Sequence, residues 1–304
     1  MSNNNVLIVS EENEGLRIDK FLSDVNEDFS RTYIQKLVKD NSILVNGKPA
    51  KVSYKVNIGD VINLNVPESI TPDILPQDIP LDIIFEDKDI IVINKPKGMV
   101  VHPAPGHYTD TLVNALMFHC KDDLSGINGV GRPGIVHRID MNTTGVLIAC
   151  KNDYAHNFVA KQLKDHSITR KYEAIVMGVL KDESGTINAP IGRNPKERKK
   201  MAINIKTGRE AITNYKVINR FRSYTHVECQ LETGRTHQIR VHLASIHHPI
   251  LGDDVYGPPK QPFKLIGQAL HARTLGLIHP TTKEYIEFSS PLPEYFLELL
   301  NKID

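Results

Sequence analysis

Cysteine is scarce in this sequence: Cys120, Cys150 and Cys229 are the only three in 304 residues. An odd, scattered set without a C-x-x-C pair offers neither a disulfide framework nor a thiolate zinc site. All three sit among apolar neighbours, which fits a reducing cytoplasm. Long apolar runs are missing too. Nothing reaches the roughly 18 residues that a membrane-crossing helix needs, so no membrane partner is expected. Residues 1–9 are polar and have neither the basic start nor the apolar centre of a secretory signal. Charge of one dominant sign is also absent. The 37 Lys and Arg against 36 Asp and Glu leave a net +1, so affinity for an acidic partner has to come from how charges are placed. H-E-x-x-H, G-x-S-x-G and the P-loop pattern do not occur, which removes three common enzyme signatures. Neither an internal repeat nor a low-complexity tract is visible.

What is present describes a globular chain of two domains. Hydrophobic residues make up 40% and charged residues 24%, too apolar for disorder. Ile18, Phe21, Leu22, Val25 and Phe29 recur at helical spacing. Ser30 is a candidate N-cap for a second helix with Ile34, Leu37 and Val38 on one face. Ile43-Leu44-Val45 reads as a strand, and Asn46-Gly47 after it is a strong two-residue hairpin signal. Residues 61–66 read as another strand, with Ile62, Leu64 and Val66 on one face. Between residues 31 and 55, Arg31, Lys36, Lys39, Lys48, Lys51 and Lys55 face only Asp40, a balance of 6 − 1 = +5. A helix and hairpin so charged can follow a phosphate backbone, with Arg31, Lys36 and Lys48 as candidate contacts. Pro67, Pro72, Pro76 and Pro80 then rule out a regular helix or central strand, so residues 67–80 are expected to be a semi-rigid linker. Over residues 81–304, short β-branched runs (81–85, 90–94) mix with helices without a steady βαβ rhythm. The chain is read as α+β. A small N-terminal helix-helix-hairpin module covers 15–66, followed by a larger domain on a mixed, largely antiparallel sheet with flanking helices.

Three later segments hold the polar residues that chemistry needs. In the first, Gly134-Ile135-Val136 leads into His137-Arg138-Ile139-Asp140-Met141-Asn142-Thr143-Thr144-Gly145, and Val146-Leu147-Ile148-Ala149 follows. An apolar strand is expected to run into the polar cluster, turn, and leave as a second strand. Such a turn projects side chains from a rigid scaffold, although an Asp there can equally cap the turn. The second segment is Thr169-Arg170-Lys171-Tyr172. The third is Thr233-Gly234-Arg235-Thr236-His237-Gln238-Ile239-Arg240-Val241-His242, continuing to Gly252-Asp253. Taken singly, Tyr172 suits a half-buried strand and Arg240 a structural ion pair.

Together, and in this order, the segments closely resemble the motifs of RluA/RluD-type pseudouridine synthases. Those are H-R-[LI]-D with a T-[ST]-G turn, a K-Y pair, and G-R-[ST]-H-Q-[IL]-R. Residues 93–103 resemble the sequence that opens that family's catalytic domain, and residues 15–66 resemble the RNA-binding module first known from ribosomal protein S-four. Ile139 stands where Leu is commoner and Asn142 where Asp or Lys is frequent; neither touches the inferred chemistry.

The resemblance implies isomerisation of uridine to pseudouridine in RNA, ribosomal RNA foremost and tRNA second; that chemistry requires no cofactor or metal, and nothing in the sequence demands more than a monomer. It implies Asp140 as nucleophile and Arg240 as its cationic partner. Tyr172 would lay its ring against the flipped base, with its hydroxyl assisting proton loss from carbon 5. His137, Arg138, Thr144, Arg235, His237 and Gln238, from the same motifs, are expected at the RNA. Whether Asp140 attacks the sugar, removes a sugar proton to give a glycal, or attacks the base stays open at this level.

Residues 193–222 add ten basic residues against Glu197 and Glu210, a balance of 10 − 2 = +8, with Lys196, Lys199 and Lys200 expected on phosphates. Other readings fit less well. Residues 129–134 match G-x-G-x-x-G, but a strand-like run comes next where a dinucleotide site needs a helix. The spacing of His237, His242, His247 and His248 does not place metal ligands on one helix face. A non-catalytic RNA-binding assembly factor would have no need of Asp140, Tyr172 and Arg240 together.

Overall fold

The expected helical stripes near the N-terminus are what builds the first core. Ile18, Phe21 and Leu22 of α1 (Ile18–Val25) and Ile34, Leu37 and Val38 of α2 (Arg31–Lys39) are all buried. They cover a four-stranded antiparallel sheet of β1 (Asn3–Ile8), β2 (Ile43–Val45), β3 (Lys48–Pro49) and β4 (Val61–Val66), in the order β1-β4-β2-β3. Asn46 and Gly47 both take left-handed backbone, with φ of 51° and 76°, and so make the tight turn between β2 and β3. The computed structural model describes residues 3–26, 29, 31–66, 74–104, 106–121, 123–127, 129, 132–197 and 200–303. The chain divides into two compact units, residues 1–71 and 72–304.

Three local expectations change. The first helix stops at Val25, and Phe29 lies beyond it with its ring 5.6 Å from that of Tyr33. Ser30 lies outside the described residues. Strand β1 precedes the expected start of the module, pairing Asn3 to Ile8 with Val66 to Val61. Its three asparagines hid it, because the β4 edge is met by main-chain bonds that no side-chain pattern announces. Finally, residues 67–73 of the proline-rich stretch lie outside the described residues, and its second half is anchored to the larger unit. Ile74 is buried, Gln77 N donates to Asn114 O, and Asn114 Nδ2 donates to Leu75 O.

The second unit is built on a nine-stranded sheet. Its elements are β5 (Ile83–Glu86), β6 (Ile90–Lys95), α3 (Leu112–Cys120), β7 (Thr144–Cys150), α4 (Asp153–Lys164) and β8 (Thr169–Met177). Then come β9 (Ser184–Asn188), β10 (Ile191–Arg193), β11 (Met201–Ile203), β12 (Ile212–Arg220), β13 (Tyr224–Leu231), α5 (Gln238–Ser245), β14 (Leu270–Ile278), β15 (Tyr285–Ser289) and α6 (Glu294–Ile303). The order is β5-β6-β7-β14-β8-β13-β12-β9, with β15 on β14 and a separate β10–β11 hairpin. The β7–β14 contact is parallel and the other pairings are antiparallel. Alternation explains the two faces of the central strands. Ile91, Ile93, Leu147 and Ala149 pack towards α3, and Ile90, Val92, Val146 and Ile148 towards α4.

One glycine is fixed by that topology. Gly145 has φ +109°, and a Cβ there would lie 2.1 Å from Ala272 O in β14. Only glycine lets β7 start beside β14, directly after the polar turn.

Candidate active site

The polar turn is positioned by side chains rather than by a strand pair. The expected strand before it does not form; residues 134–136 make a single bridge, Ile135 to Ala149. The physical reason is His137. Its Nε2 accepts the Ile148 N–H at 3.1 Å, replacing a ladder bond that a neighbouring strand would have supplied. Burial, with Arg170 adding to it, pushes the His137 pKa down to about 3, so the ring stays neutral and can keep accepting. On the other side of the turn, Lys95 is fully buried and donates to three carbonyls: Pro96 O, Met99 O and Met141 O at 2.8, 2.9 and 3.0 Å. Desolvation lowers its pKa to about 7, with Asp140 pulling the other way. Thr143 N closes the turn onto Asp140 O at 3.0 Å.

Asp140 then opens into a cleft of 720 Å³, within the range that holds a nucleotide-sized ligand. Arg240 Nη1 donates to Asp140 Oδ2 at 2.9 Å across 100 residues of sequence. Arg240 is itself clamped: Nε and Nη2 donate to Asp253 Oδ2 and Oδ1 at 2.7 and 2.9 Å. Asp253 is fully buried and also accepts the Val255 and Tyr256 N–H groups. Burial works against the Arg240 charge, but Asp253 outweighs it and holds the guanidinium well above its ordinary pKa. Asp140 Oδ1 faces His237 Nε2 at 3.8 Å and is otherwise open, since the side chain is 24% exposed. Tyr172, buried in β8, lines the same cleft. Burial raises its phenol pKa, so the hydroxyl stays protonated at neutral pH.

The lining is cationic. Arg138, Lys164, Arg170, Arg235 and Arg240 stand around one carboxylate, Asp140. Such a cleft suits an anionic polymer. Arg170 was not expected in this role. It is buried, Nη2 donates to Glu232 O at 3.2 Å, and its Nε has no partner among the described residues. A Cβ on Gly234 would sit 2.5 Å from Arg170 Nη1, so a larger residue there would displace that guanidinium.

Several residues expected at the RNA also make bonds within the protein. The amide of Gln238 is saturated: Oε1 accepts from Thr233 Oγ1 and Arg235 N, and Nε2 donates to Ile212 O and Thr213 Oγ1. It anchors the start of α5 at the cleft wall. Thr144 is buried against His271 Nδ1 and the Tyr295 hydroxyl. His137 holds β7, as described. Arg31 forms a two-point contact with buried Asp19. Arg138 is exposed and reaches His102 Nε2 at 3.4 Å, and Arg235 donates to Glu210 O at the cleft edge. Lys36, Lys48 and Lys196 are exposed; Lys200 pairs with Glu197 at 2.8 Å, and Lys199 lies outside the described residues.

The histidines that suggested a metal are dispersed. His242 bonds Thr213 Oγ1 and Ala189 O, and His248 bonds Met177 O. Among the described residues, two other groups come within ligating distance, Glu86-His119-Cys120 and Asp87-Asp89-His279. Neither lines the cleft, and both are held by internal bonds. Glu86 binds Lys151 and His119, and Asp87 binds His279.

Comparison with known proteins fits this geometry. A family model described as RNA pseudouridylate synthase matches residues 89–245, and an S4 domain model matches 16–62. The class is an RNA-modifying enzyme with an added RNA-binding module. The chain is 52% identical over 297 residues to an uncharacterised RNA pseudouridine synthase, YlyB, of Bacillus subtilis, covering 98% of this chain and 97% of that protein. It is 44% identical over 297 residues to the ribosomal large subunit pseudouridine synthase D of Zymomonas mobilis, covering 94% and 93%. Among solved structures, human RNA pseudouridylate synthase domain containing 4 superposes with a TM-score of 0.58 at 30% identity, covering 73% of this chain and 92% of that one. The chain belongs to the RNA pseudouridine synthases, in the RluA/RluD-type group that carries an S4 domain. No helix among the described residues is long and apolar enough to cross a membrane.

Proposed function

We propose that this enzyme isomerises uridines of large-subunit ribosomal RNA in the cytoplasm, with transfer RNA as the second candidate substrate and Asp140 as nucleophile. The observation that carries the reading is the asymmetry of Asp140. Arg240 holds one oxygen, and the other faces the open cleft. A carboxylate oxygen steadied in this way can bond to ribose carbon 1′ as the bond to the base nitrogen breaks. The detached base, carrying the electron pair of that bond, turns within the cleft. Its carbon 5 then bonds to carbon 1′ and releases Asp140. The proton on carbon 5 leaves last, and the nitrogen that was detached from the sugar gains a proton, so the product has the same atoms as uridine. Tyr172 supplies a ring face for the base throughout. As a protonated phenol, it can take the carbon 5 proton only while handing its own to another acceptor. The sum is an isomerisation with no change of oxidation state, so the chemistry calls for no redox cofactor.

The net charge of +1 gives no overall attraction to RNA. The grip on RNA comes from local clusters instead. The test is to map pseudouridines in total RNA from cells with and without the protein. Sites in large-subunit RNA should vanish in its absence. An unchanged ribosomal map with lost sites in tRNA would move the substrate, and an unchanged map in all RNA would overturn the reading.

A further inference from the structure

His237 sits in a conformation that needs explaining. It occupies left-handed backbone, φ 56° and ψ 21°, at the N-terminal cap of α5, a cost that a non-glycine residue bears only when its surroundings hold it there. Its side chain makes no capping bond. Instead its ring lies edge-on to Tyr256, with centroids 5.7 Å apart, and Nδ1 meets the Tyr256 hydroxyl at 2.8 Å.

A histidine ring can carry its single proton on either nitrogen, and here the choice is set from outside. The Tyr256 oxygen already accepts the Met201 N–H at 2.9 Å. Its one proton is then free for His237 Nδ1, which must be the bare nitrogen to receive it. That leaves the proton on Nε2, the atom 3.8 Å from Asp140 Oδ1. The alternative would turn a lone pair towards a carboxylate oxygen, which is repulsive. Both contacts therefore select one tautomer. Burial lowers the His237 pKa, so the neutral ring is the relevant species, and burial raises that of Tyr256, so the phenol keeps its proton. Tyr256 is itself fixed. Its N–H donates to Asp253 Oδ1, and its ring lies 5.1 Å from the Arg240 guanidinium carbon.

We propose that Tyr256 is a positioning residue for the isomerisation. By giving its proton to Nδ1, it locks His237 with an N–H, rather than a lone pair, directed at the reactive oxygen of Asp140. This rests on the reading of Asp140 as the reacting group. Nothing in the motif residues Gly234 to Arg240 makes the selection by itself; it comes from a tyrosine 19 positions beyond His237, backed by Met201 of the β10–β11 hairpin.

The test uses the full chain labelled with ¹⁵N-histidine. In the wild type, His237 should show a protonated Nε2 and a bare Nδ1. In Tyr256→Phe, the two tautomers should mix. Turnover on a large-subunit RNA transcript should fall about 10–100-fold in kcat with KM within about twofold, by analogy with loss of the hydrogen-bond partner that fixes the tautomer of a metal-bound histidine. His237→Gln supplies the control for a merely structural effect. If Tyr256 acts through His237, adding Tyr256→Phe to that variant should cost nothing further. A wild-type His237 protonated on Nδ1, an unchanged kcat in Tyr256→Phe, or a loss that persists in full in the His237→Gln background would each overturn the proposal. Failure of the wild type to make pseudouridine in any RNA would instead overturn the functional reading, while the nitrogen spectra would still decide the tautomer.

Discussion

Two aspartates in different units of this protein both lean on arginine, and they are built to opposite ends. Asp19 in α1 is fully buried, and both of its oxygens are occupied: Arg17 and Arg31 each reach both, and Gln35 donates to Oδ2 at 2.6 Å. Asp140 has one oxygen held by Arg240 and the other 3.8 Å from His237 Nε2, and it is partly exposed. A carboxylate whose acceptor capacity is used up supports a fold, whereas one left half-satisfied beside a cleft can react. The same contrast separates Asp253 from Asp140 on a single guanidinium. Asp253 takes Nε and Nη2 and is fully enclosed; Asp140 takes Nη1 and looks outward.

Exchanging each aspartate for asparagine is the strongest way to break the contrast. Asp140→Asn should lower turnover by about 10⁴-fold or more, in line with the loss of other catalytic nucleophiles, while RNA affinity falls little because phosphate contacts dominate it. Asp19→Asn should leave kcat within about twofold and weaken only the first unit. Circular dichroism, filter binding and a pseudouridine assay on each preparation would show it. Near wild-type turnover in folded Asp140→Asn protein would end the assignment.

Asp253→Asn should come next in size. The amide nitrogen would face the Arg240 donors, leaving a buried cation with a broken clamp. Loss of one member of such a pair costs about 3–5 kcal/mol. The thermal midpoint of the second unit should drop by several degrees, and turnover per folded molecule should fall too, because Arg240 would no longer be aimed at Asp140. A drop in stability with full turnover would mean that Asp140 needs no aimed partner.

The same ranking separates residues whose place could be read from the sequence from those whose place could not. Asp140, Tyr172 and Arg240 could be grouped because their motifs together resemble those of one family, and the fold brings all three to one cleft. The Asn46-Gly47 hairpin was legible because its backbone demands those residues. The clamp by Asp253 was not, since a buried aspartate that satisfies an arginine has the same letter as one at a loop surface. The supporting bonds of His137 and Gln238, both of which line the cleft, were hidden for a related reason. Residue type records what a side chain can donate or accept, and only the fold shows that Ile148 N–H or Ile212 O has already taken it. The parallel contact of β7 with β14 was hidden as well, because the strands are far apart in sequence and their side chains alternate as antiparallel ones do.

A smaller effect sharpens the contrast through pH. Burial disfavours the Asp19 anion, but the bonds from Arg31, Gln35 and Arg17 outweigh it and hold its pKa well below the ordinary 3.8. A group depressed on folding stabilises above its unfolded pKa, and that stability is lost as pH falls towards the folded value. Amide exchange in α1 and α2 should therefore accelerate between about pH 4 and 2, beyond the intrinsic change, and Asp19→Asn should remove that dependence. Equal acceleration in the variant would place the acid sensitivity elsewhere.

The smallest effect applies the same distinction to cations. Lys196 is exposed, whereas Lys200 is paired with Glu197 and Arg220 is held by Glu183 and the Leu180 carbonyl. If uncommitted groups act on the ligand and committed ones hold the fold, the basic run between residues 193 and 222 is less uniform than its net charge suggests. Each lysine that neutralises a phosphate releases about 0.7–0.9 of a counterion, so its removal flattens the plot of log affinity against log salt by that amount. Lys196→Ala should flatten the slope by close to this value. Lys200→Ala should flatten it by less, because Glu197 is left behind as an unpaired anion whose repulsion lowers affinity without adding a released ion. Filter-binding titrations of both variants and wild type across a salt series measure the slopes directly. A Lys196→Ala slope identical to wild type would make this lysine a solvated surface charge, and equal flattening by both variants would show that RNA displaces Glu197 from Lys200 on binding.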